Sequence, residues 1–135
     1  MKKVLIFAGG WDGHQPELTS VRFAGMMEKH GYEATIIHDL APMAEVDYLM
    51  QFELLVACWT MGEIPREVVQ SIAKAVGAGV GLAGCHGGMC DAFRQSTEWQ
   101  FITGGQWVSH PGGDGIEYTV NVCHGSSPLV EGLTD

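Results

Sequence analysis

The chain has 135 residues, 46% of them hydrophobic, which is enough for one core of ordinary size and too few for a second domain. Its formal net charge of -9, from 16 acidic against 7 basic residues, argues against nucleic acid or an anionic membrane as a general partner. The first apolar run is interrupted by glycine and charge too soon for a signal peptide or a membrane span.

The four cysteines contain no Cys-x-x-Cys pair, and three of them border apolar runs. Reduced thiols of this kind are typical of cytoplasmic proteins. We therefore expect a single cytoplasmic domain over residues 1–135.

Short apolar runs alternate with segments of helical periodicity along most of the chain. In chain order the prediction is a strand at 3–8, a helix from 16 to a stop at 31, a strand at 32–38, a helix at 42–50, a strand at 54–59, a helix at 65–76, a strand at 80–83, a helix at 97–102 and a strand at 116–122. The first helix is expected to bury the stripe Leu18, Val21, Ala24 and Met27.

This alternation predicts a three-layer α/β domain with a doubly wound, mostly parallel sheet. Ligands of such sheets bind beyond the carboxyl ends of the strands. If the strand order begins 2-1-3-4, the ends of strands one, three and four are neighbours. The polar and aromatic residues that follow those three strands are Trp11, Asp12, His14, Trp59, Glu63, Cys85, His86 and Asp91.

The segment after the fourth strand has the layout of a nucleophile elbow. Gly84, Gly87 and Gly88 permit a sharp turn from strand to helix, with Cys85 and His86 at its apex. The glycines alone do not decide which of the two side chains points into the site.

Four separated segments resemble the trehalose-utilisation (ThuA-like) family, which has the flavodoxin-like fold of the class I glutamine amidotransferases. The segments are residues 9–16 (GGWDGHQP), 59–63 (WTMGE), 81–94 (GLAGCHGGMCDAFR) and 104–113 (GGQWVSHPGG). The resemblance implies that His86 occupies the centre of the elbow, where the amidotransferases have their cysteine, and that Cys85 points into packing. It also implies that the chain is shortened at its carboxyl end, because members of the family continue further. An open sheet edge would follow, and with it a homo-oligomer.

Three histidines are candidates for one site. His14 and His110 lie in loops bounded by glycine and proline, and together with His86 they are a candidate ligand set for a divalent metal such as zinc with an open coordination position. No short spacing such as His-x-x-x-His supports the metal, and a metal-free acid–base pair fits the same residues.

Other side chains near these loops are candidates for catalysis and substrate binding. Asp91 and Glu63 suit an acid, a base or an orienting group for a histidine. Arg94 is a candidate anchor for a carboxylate, or a partner of Glu98 one helical turn later. Flat apolar surfaces for a sugar ring are expected from three tryptophans, namely Trp11, Trp59 and Trp107.

Three functions remain open on this reasoning. The first is an enzyme of carbohydrate utilisation that acts on a small sugar or oxidised sugar derivative by isomerisation, elimination or hydrolysis, with His86 as its leading catalytic residue. The second is a non-catalytic carbohydrate-binding or regulatory module. The third is a cysteine-dependent amidohydrolase, which the position of Cys85 in the elbow disfavours.

Overall fold

The computed structural model describes residues 1–134. Its strands are β1 (Lys2–Gly10), β2 (Tyr32–Ile37), β3 (Leu54–Thr60) and β4 (Gly81–Gly84). Its helices are α1 (Pro16–Lys29), α2 (Val46–Leu49), α3 (Arg66–Gly77), α4 (Gly87–Cys90) and α5 (Thr97–Thr103), and 3-10 turns lie at Asp12–His14, Ala41–Ala44 and Pro128–Val130. None of the helices described is long and apolar enough to cross a membrane.

The four strands form one sheet in the order β2-β1-β3-β4, and every pair is parallel. Parallel neighbours cannot be joined by a tight turn, so α1 connects β1 to β2 and α3 connects β3 to β4. This sheet, with helices on both faces, confirms the predicted α/β fold and its strand order. The carboxyl ends of β1, β3 and β4 are neighbours as a result.

The core has two clusters, one on each face of the sheet. In β1, Val4 and Ile6 belong to one cluster, whereas Leu5 and Phe7 belong to the other. Helix α1 covers the first cluster, and α2, α3 and α5 cover the second. A central strand that is buried on both faces reads as a continuous apolar run, which is why β1 was recognisable from sequence.

The stripe predicted for α1 is wrong for Leu18 and Val21 and confirmed for Ala24 and Met27. Leu18 is 67% exposed and Val21 is 62% exposed, whereas Ser20 and Ala24 are buried and Met27 packs against the first cluster. A helix turns about 100° per residue, so a series spaced every three residues drifts by about 60° at each step. Leu18 and Met27 therefore lie on opposite sides of the helix.

Two other predictions differ from the structure. Residues 116–122 form no strand, and Tyr118 and Val120 are exposed, because alternating apolar residues make a strand only when a neighbouring strand completes the hydrogen-bond ladder. The helix expected at 42–50 is divided into a 3-10 turn and α2, because Glu45 adopts an extended conformation between them.

Candidate functional site

A cavity of about 680 Å³ lies beyond the carboxyl ends of the strands. We call it the histidine cavity. It is lined by Trp11, His14, Met61, His86, Gly87, Cys90, Asp91, Arg94, Trp107, Val108, Ser109, His110 and Asp114. The three candidate histidines therefore line one cavity, where the parallel sheet was expected to place its ligand.

His14 is held by the end of the neighbouring central strand. The hydrogen-bond ladder between β1 and β3 extends one residue past Gly10, since Trp11 N–H donates to the Thr60 carbonyl at 2.9 Å. The 3-10 turn then places His14 Nδ1 within 2.8 Å of Thr60 Oγ1, and Thr60 is buried at 2% exposure. This hydrogen bond fixes the orientation of the ring, which a catalytic imidazole requires.

His86 occupies the strained turn between β4 and α4. Its backbone has φ 54° and ψ -146°, which a residue with a side chain rarely adopts and which costs about 1–3 kcal/mol. The strain presents the side chain at the cavity wall, with the His86 ring centroid 5.0 Å from that of His14. The elbow predicted from the glycines is therefore present, with His86 at its apex.

Gly87 makes the close approach of the two histidines possible. A Cβ atom added at Gly87 would lie 2.6 Å from Cε1 of His14, closer than any real contact. At Gly88, by contrast, the nearest atom to an added Cβ would be Cα of Cys58 at 3.6 Å, an ordinary contact. A side chain at position 87 would therefore collide with the His14 ring, whereas a Cβ at position 88 would make only an ordinary contact.

Other strained residues lie around the same cavity. Within residues 1–134, the non-glycine residues with positive φ are His86, Gln15 beside His14, Met61 in the cavity wall and Phe93 between Asp91 and Arg94. Met61 N–H donates to the Asp91 carbonyl at 2.8 Å, and Phe93 N–H donates to the Met61 carbonyl at 3.1 Å. Such strain persists where packing enforces it, and it is concentrated at functional sites.

Asp91 and Arg94 form an ion pair in the wall of the cavity. Both the Nε and the Nη2 of Arg94 donate to the Asp91 carboxylate, the latter at 3.0 Å, and Asp91 is buried while the Arg94 side chain is 42% exposed. The hydrogen bond to Asp91 raises the pKa of Arg94 above its usual value. Arg94 therefore pairs with Asp91, and not with Glu98 as one alternative proposed.

The loop after α5 closes the cavity on its outer side. Trp107 N–H donates to the Cys90 carbonyl at 2.8 Å, which attaches this loop to the end of α4. The Trp107 and His110 rings are 4.8 Å apart in an edge-to-face arrangement. Trp11 packs in the same way against His14, with ring centroids 4.9 Å apart.

Two predicted site residues do not line this cavity. Trp59 packs its ring against Phe93 at 5.7 Å, and its buried Nε1 has no hydrogen-bond partner within the described part of the chain. Glu63 lines a separate open cavity of about 410 Å³ together with Arg66 and Glu98. Neither side chain is placed with the histidines.

Metal binding requires donor side chains that converge on one point. Among residues 1–134, no group of three or more histidine, cysteine, aspartate or glutamate side chains is arranged to hold a metal ion. His14 and His86 form a close pair, whereas His110 is paired with Trp107. A zinc site built from His14, His86 and His110 thus stays a prediction.

The thiol of the elbow differs from expectation. Cys85 is exposed and is not buried in packing. It follows the edge strand β4, whereas α1, the helix that covers this face of the sheet, packs mainly on β1 and β2. It does not line the histidine cavity, whereas His86 does.

Sequence reasoning missed several residues that shape the site. Thr60 is the last residue of β3 and Met61 directly follows it, so both were identifiable by the rule that singled out Trp59 at this strand end. Trp99 carried no such signal: its Nε1 donates to the Met89 carbonyl at 3.0 Å and supports α4 from the core.

Comparison with known protein families identifies a match over almost the whole chain. The ThuA family, described as trehalose utilisation, matches residues 3–135 of the chain. Neither the curated proteins nor the solved structures gave a match.

Proposed function

The chain belongs to the ThuA (trehalose utilisation) family, and from that premise we propose that it is an enzyme that acts on a sugar or oxidised sugar derivative by histidine acid–base chemistry. The observation that carries the proposal is the pair of His14 and His86, whose rings are 5.0 Å apart in the wall of the histidine cavity.

The two histidines have complementary settings for proton transfer. Within residues 1–134 the hydrogen bond of His14 to Thr60 engages Nδ1, and none engages Nε2, which is left to exchange a proton with a ligand. His86 stands on a strained turn whose geometry holds its side chain at the cavity wall. One imidazole removes a proton from the substrate and the other supplies one, and a positioned acid or base contributes typically about 10²–10⁴-fold in rate.

The remaining walls suit a small carbohydrate. Trp11 and Trp107 offer aromatic surfaces that pack against the apolar face of a sugar ring. Arg94 uses Nε and Nη2 on Asp91 and retains Nη1, whose donors suit a carbonyl or carboxylate oxygen of an oxidised sugar. In this proposal Asp91 is a positioning residue that holds the guanidinium, and it does not itself exchange protons with the substrate.

Metal-assisted chemistry is the alternative form of the same proposal. A divalent ion such as zinc would take His14, His86 and His110 as its ligands and would activate a water molecule. The proposed compartment is the cytoplasm, supported by four free thiols.

Solvent exchange tests the proton transfer directly. The chain is incubated in D₂O with trehalose and with keto derivatives of trehalose, and deuterium incorporation and new products are followed by NMR. We expect turnover with at least one derivative, and a loss of about 10²-fold or more in His86→Gln and His14→Gln. His30→Gln is the matched control, because His30 is an exposed histidine that ends α1 outside the cavity.

The other outcomes identify the competing functions. Binding of a sugar without exchange or product supports a carbohydrate-binding module. Release of ammonia from glutamine that stops when Cys85 is alkylated supports the amidohydrolase and overturns the proposal. Activity that disappears with a chelator and returns with zinc supports the metal-assisted form.

A further inference from the structure

Two cysteines lie near the carboxyl ends of β3 and β4, Cys58 within β3 and Cys85 directly after β4. The register of this parallel pair runs from Leu54 opposite Gly81 to Ala57 opposite Gly84. The next residue after Ala57 is Cys58, and the next after Gly84 is Cys85. Neighbouring strands are about 4.8 Å apart, which is inside the Cα separation of about 4.4–6.8 Å that a disulfide requires.

The two side chains also share one face of the sheet. Cys58 belongs to the core cluster under α1, and both cysteines line a small cavity of about 170 Å³ that lies on that side of the elbow. The turn after Cys85 is folded onto Cys58: Gly88 N–H donates to the Cys85 carbonyl at 3.1 Å, and a Cβ at Gly88 would lie 3.6 Å from Cα of Cys58.

We propose that Cys58 and Cys85 form an oxidisable dithiol site, which hydrogen peroxide converts into a disulfide. The sulfur of Cys85 attacks one peroxide oxygen, the O–O bond breaks, and a sulfenic acid and one water are formed. The sulfur of Cys58 then attacks the sulfenic sulfur, the S–S bond forms, and the hydroxyl leaves as a second water. Two thiols are oxidised and one peroxide is reduced.

The environments of the two thiols assign their order of reaction. Cys85 is exposed and meets the oxidant, whereas Cys58 is buried at 4% exposure. Burial raises the pKa of the Cys58 thiol to about 11, and the neighbouring Cys85 adds to the rise. Cys58 is therefore the resolving thiol, and the interaction between the two groups agrees with the proximity that the register implies.

The dithiol site adjoins the histidine cavity but does not depend on sugar chemistry. His14 and His86 contribute to the walls of both cavities. A bond between Cys58 and Cys85 would tie the elbow to β3 at the residue that directly precedes His86.

Intact-mass and peptide analysis test the site in the unmodified chain. The reduced protein is treated with a few equivalents of hydrogen peroxide, quenched, and alkylated in denaturant. We expect a species lighter by two hydrogens with two fewer alkylated thiols, and a cross-linked peptide that joins the segments around Cys58 and Cys85. The same treatment of a Cys90→Ser/Cys123→Ser variant, which retains only the pair, should give the same product.

Single variants in that background complete the test. Cys58→Ala should leave Cys85 as a sulfenic acid that dimedone traps, at a yield at least about tenfold above that of the parent pair. Cross-linked peptides that join Cys85 to Cys90, disulfide-linked dimers, or equal trapping with and without Cys58 would overturn the proposal. Because the peptide map uses the unsubstituted chain, a variant that fails to fold does not prevent the decision.

Discussion

Thr60 is the residue on which the orientation of His14 depends. The 2.8 Å hydrogen bond between Thr60 Oγ1 and His14 Nδ1 links the last residue of β3 to the catalytic candidate that follows β1. If Thr60 acts through His14, a substitution that removes its hydroxyl should change the tautomer balance of the imidazole even when the protein still folds.

We expect Thr60→Val to change the tautomer balance of the His14 ring and to lower the free energy of unfolding by about 1–2 kcal/mol, because the variant keeps the shape and removes the hydroxyl. Nitrogen-15 NMR of the imidazole measures the first effect, and urea denaturation measures the second. Thr60→Ser is the control, since it retains the hydroxyl and should keep the ring shifts of the parent. Unchanged ring shifts in Thr60→Val would show that the hydrogen bond does not set the state of His14.

Cys58 predicts an alkaline loss of stability. Burial raises the pKa of its thiol from 9.0 to about 11 in the folded state. The unfolded chain releases this proton first, so the stability contributed by the neutral thiol is complete below pH 9 and is lost as the pH rises towards 11. The full loss is roughly 3 kcal/mol, from about 1.4 kcal/mol per pKa unit.

The comparison of the parent with Cys58→Ala isolates this effect from other alkaline titrations. We expect the stability advantage of the parent to be constant below pH 8.5 or so and to shrink between pH 9 and 11. Guanidinium denaturation of the reduced proteins at each pH provides the measurement. Parallel curves for the two proteins across that range would mean that the thiol is more solvated than its burial indicates.

At the level of elements, the elbow was the part of the site that the sequence predicted best. Gly84, Gly87 and Gly88 predicted a sharp turn because glycine tolerates such backbone conformations, but they left Cys85 and His86 as alternatives for its apex. The resemblance to the ThuA-like family was what favoured His86. The inward face of α1 and the position of Trp59 were not predictable in the same way. Both depend on which neighbour a side chain meets, and an i, i+3 pattern or a place after a strand does not determine that neighbour.

Adjacent glycines at the start of α4 provide a sharp test of the elbow. We expect Gly87→Ala to cost about 1–3 kcal/mol of stability and to displace His14, because the new Cβ would meet Cε1 at 2.6 Å. Gly88→Ala is the matched control in the same helix, and it should be neutral or stabilising by up to about 1 kcal/mol. Thermal and chemical unfolding of both variants decide the matter, and equal effects would contradict the close packing of Gly87 against His14.

On the scale of the whole molecule, the sheet described over residues 1–134 has two edge strands, β2 and β4. Within residues 1–134, β4 pairs with β3 alone, and Ala83 and Gly84 of β4 are exposed. The segment that was expected to form a further strand is irregular and presents exposed apolar residues, including Tyr118 at 83% and Val120 at 71%. An unpaired strand edge is a template for pairing with another chain, and exposed apolar surface also favours association.

We therefore expect the 135-residue chain to self-associate through the β4 edge, with a mass in light scattering that rises with protein concentration. Ala83→Lys should shift this equilibrium towards the monomer, since a charge on an edge strand opposes pairing. Val21→Lys is the control, because Val21 is an exposed apolar residue on α1, away from β4. A stable monomer at every concentration would refute the association itself. Dissociation by Val21→Lys alone would place the contact on α1, because the substitution that blocks the edge would then have had no effect.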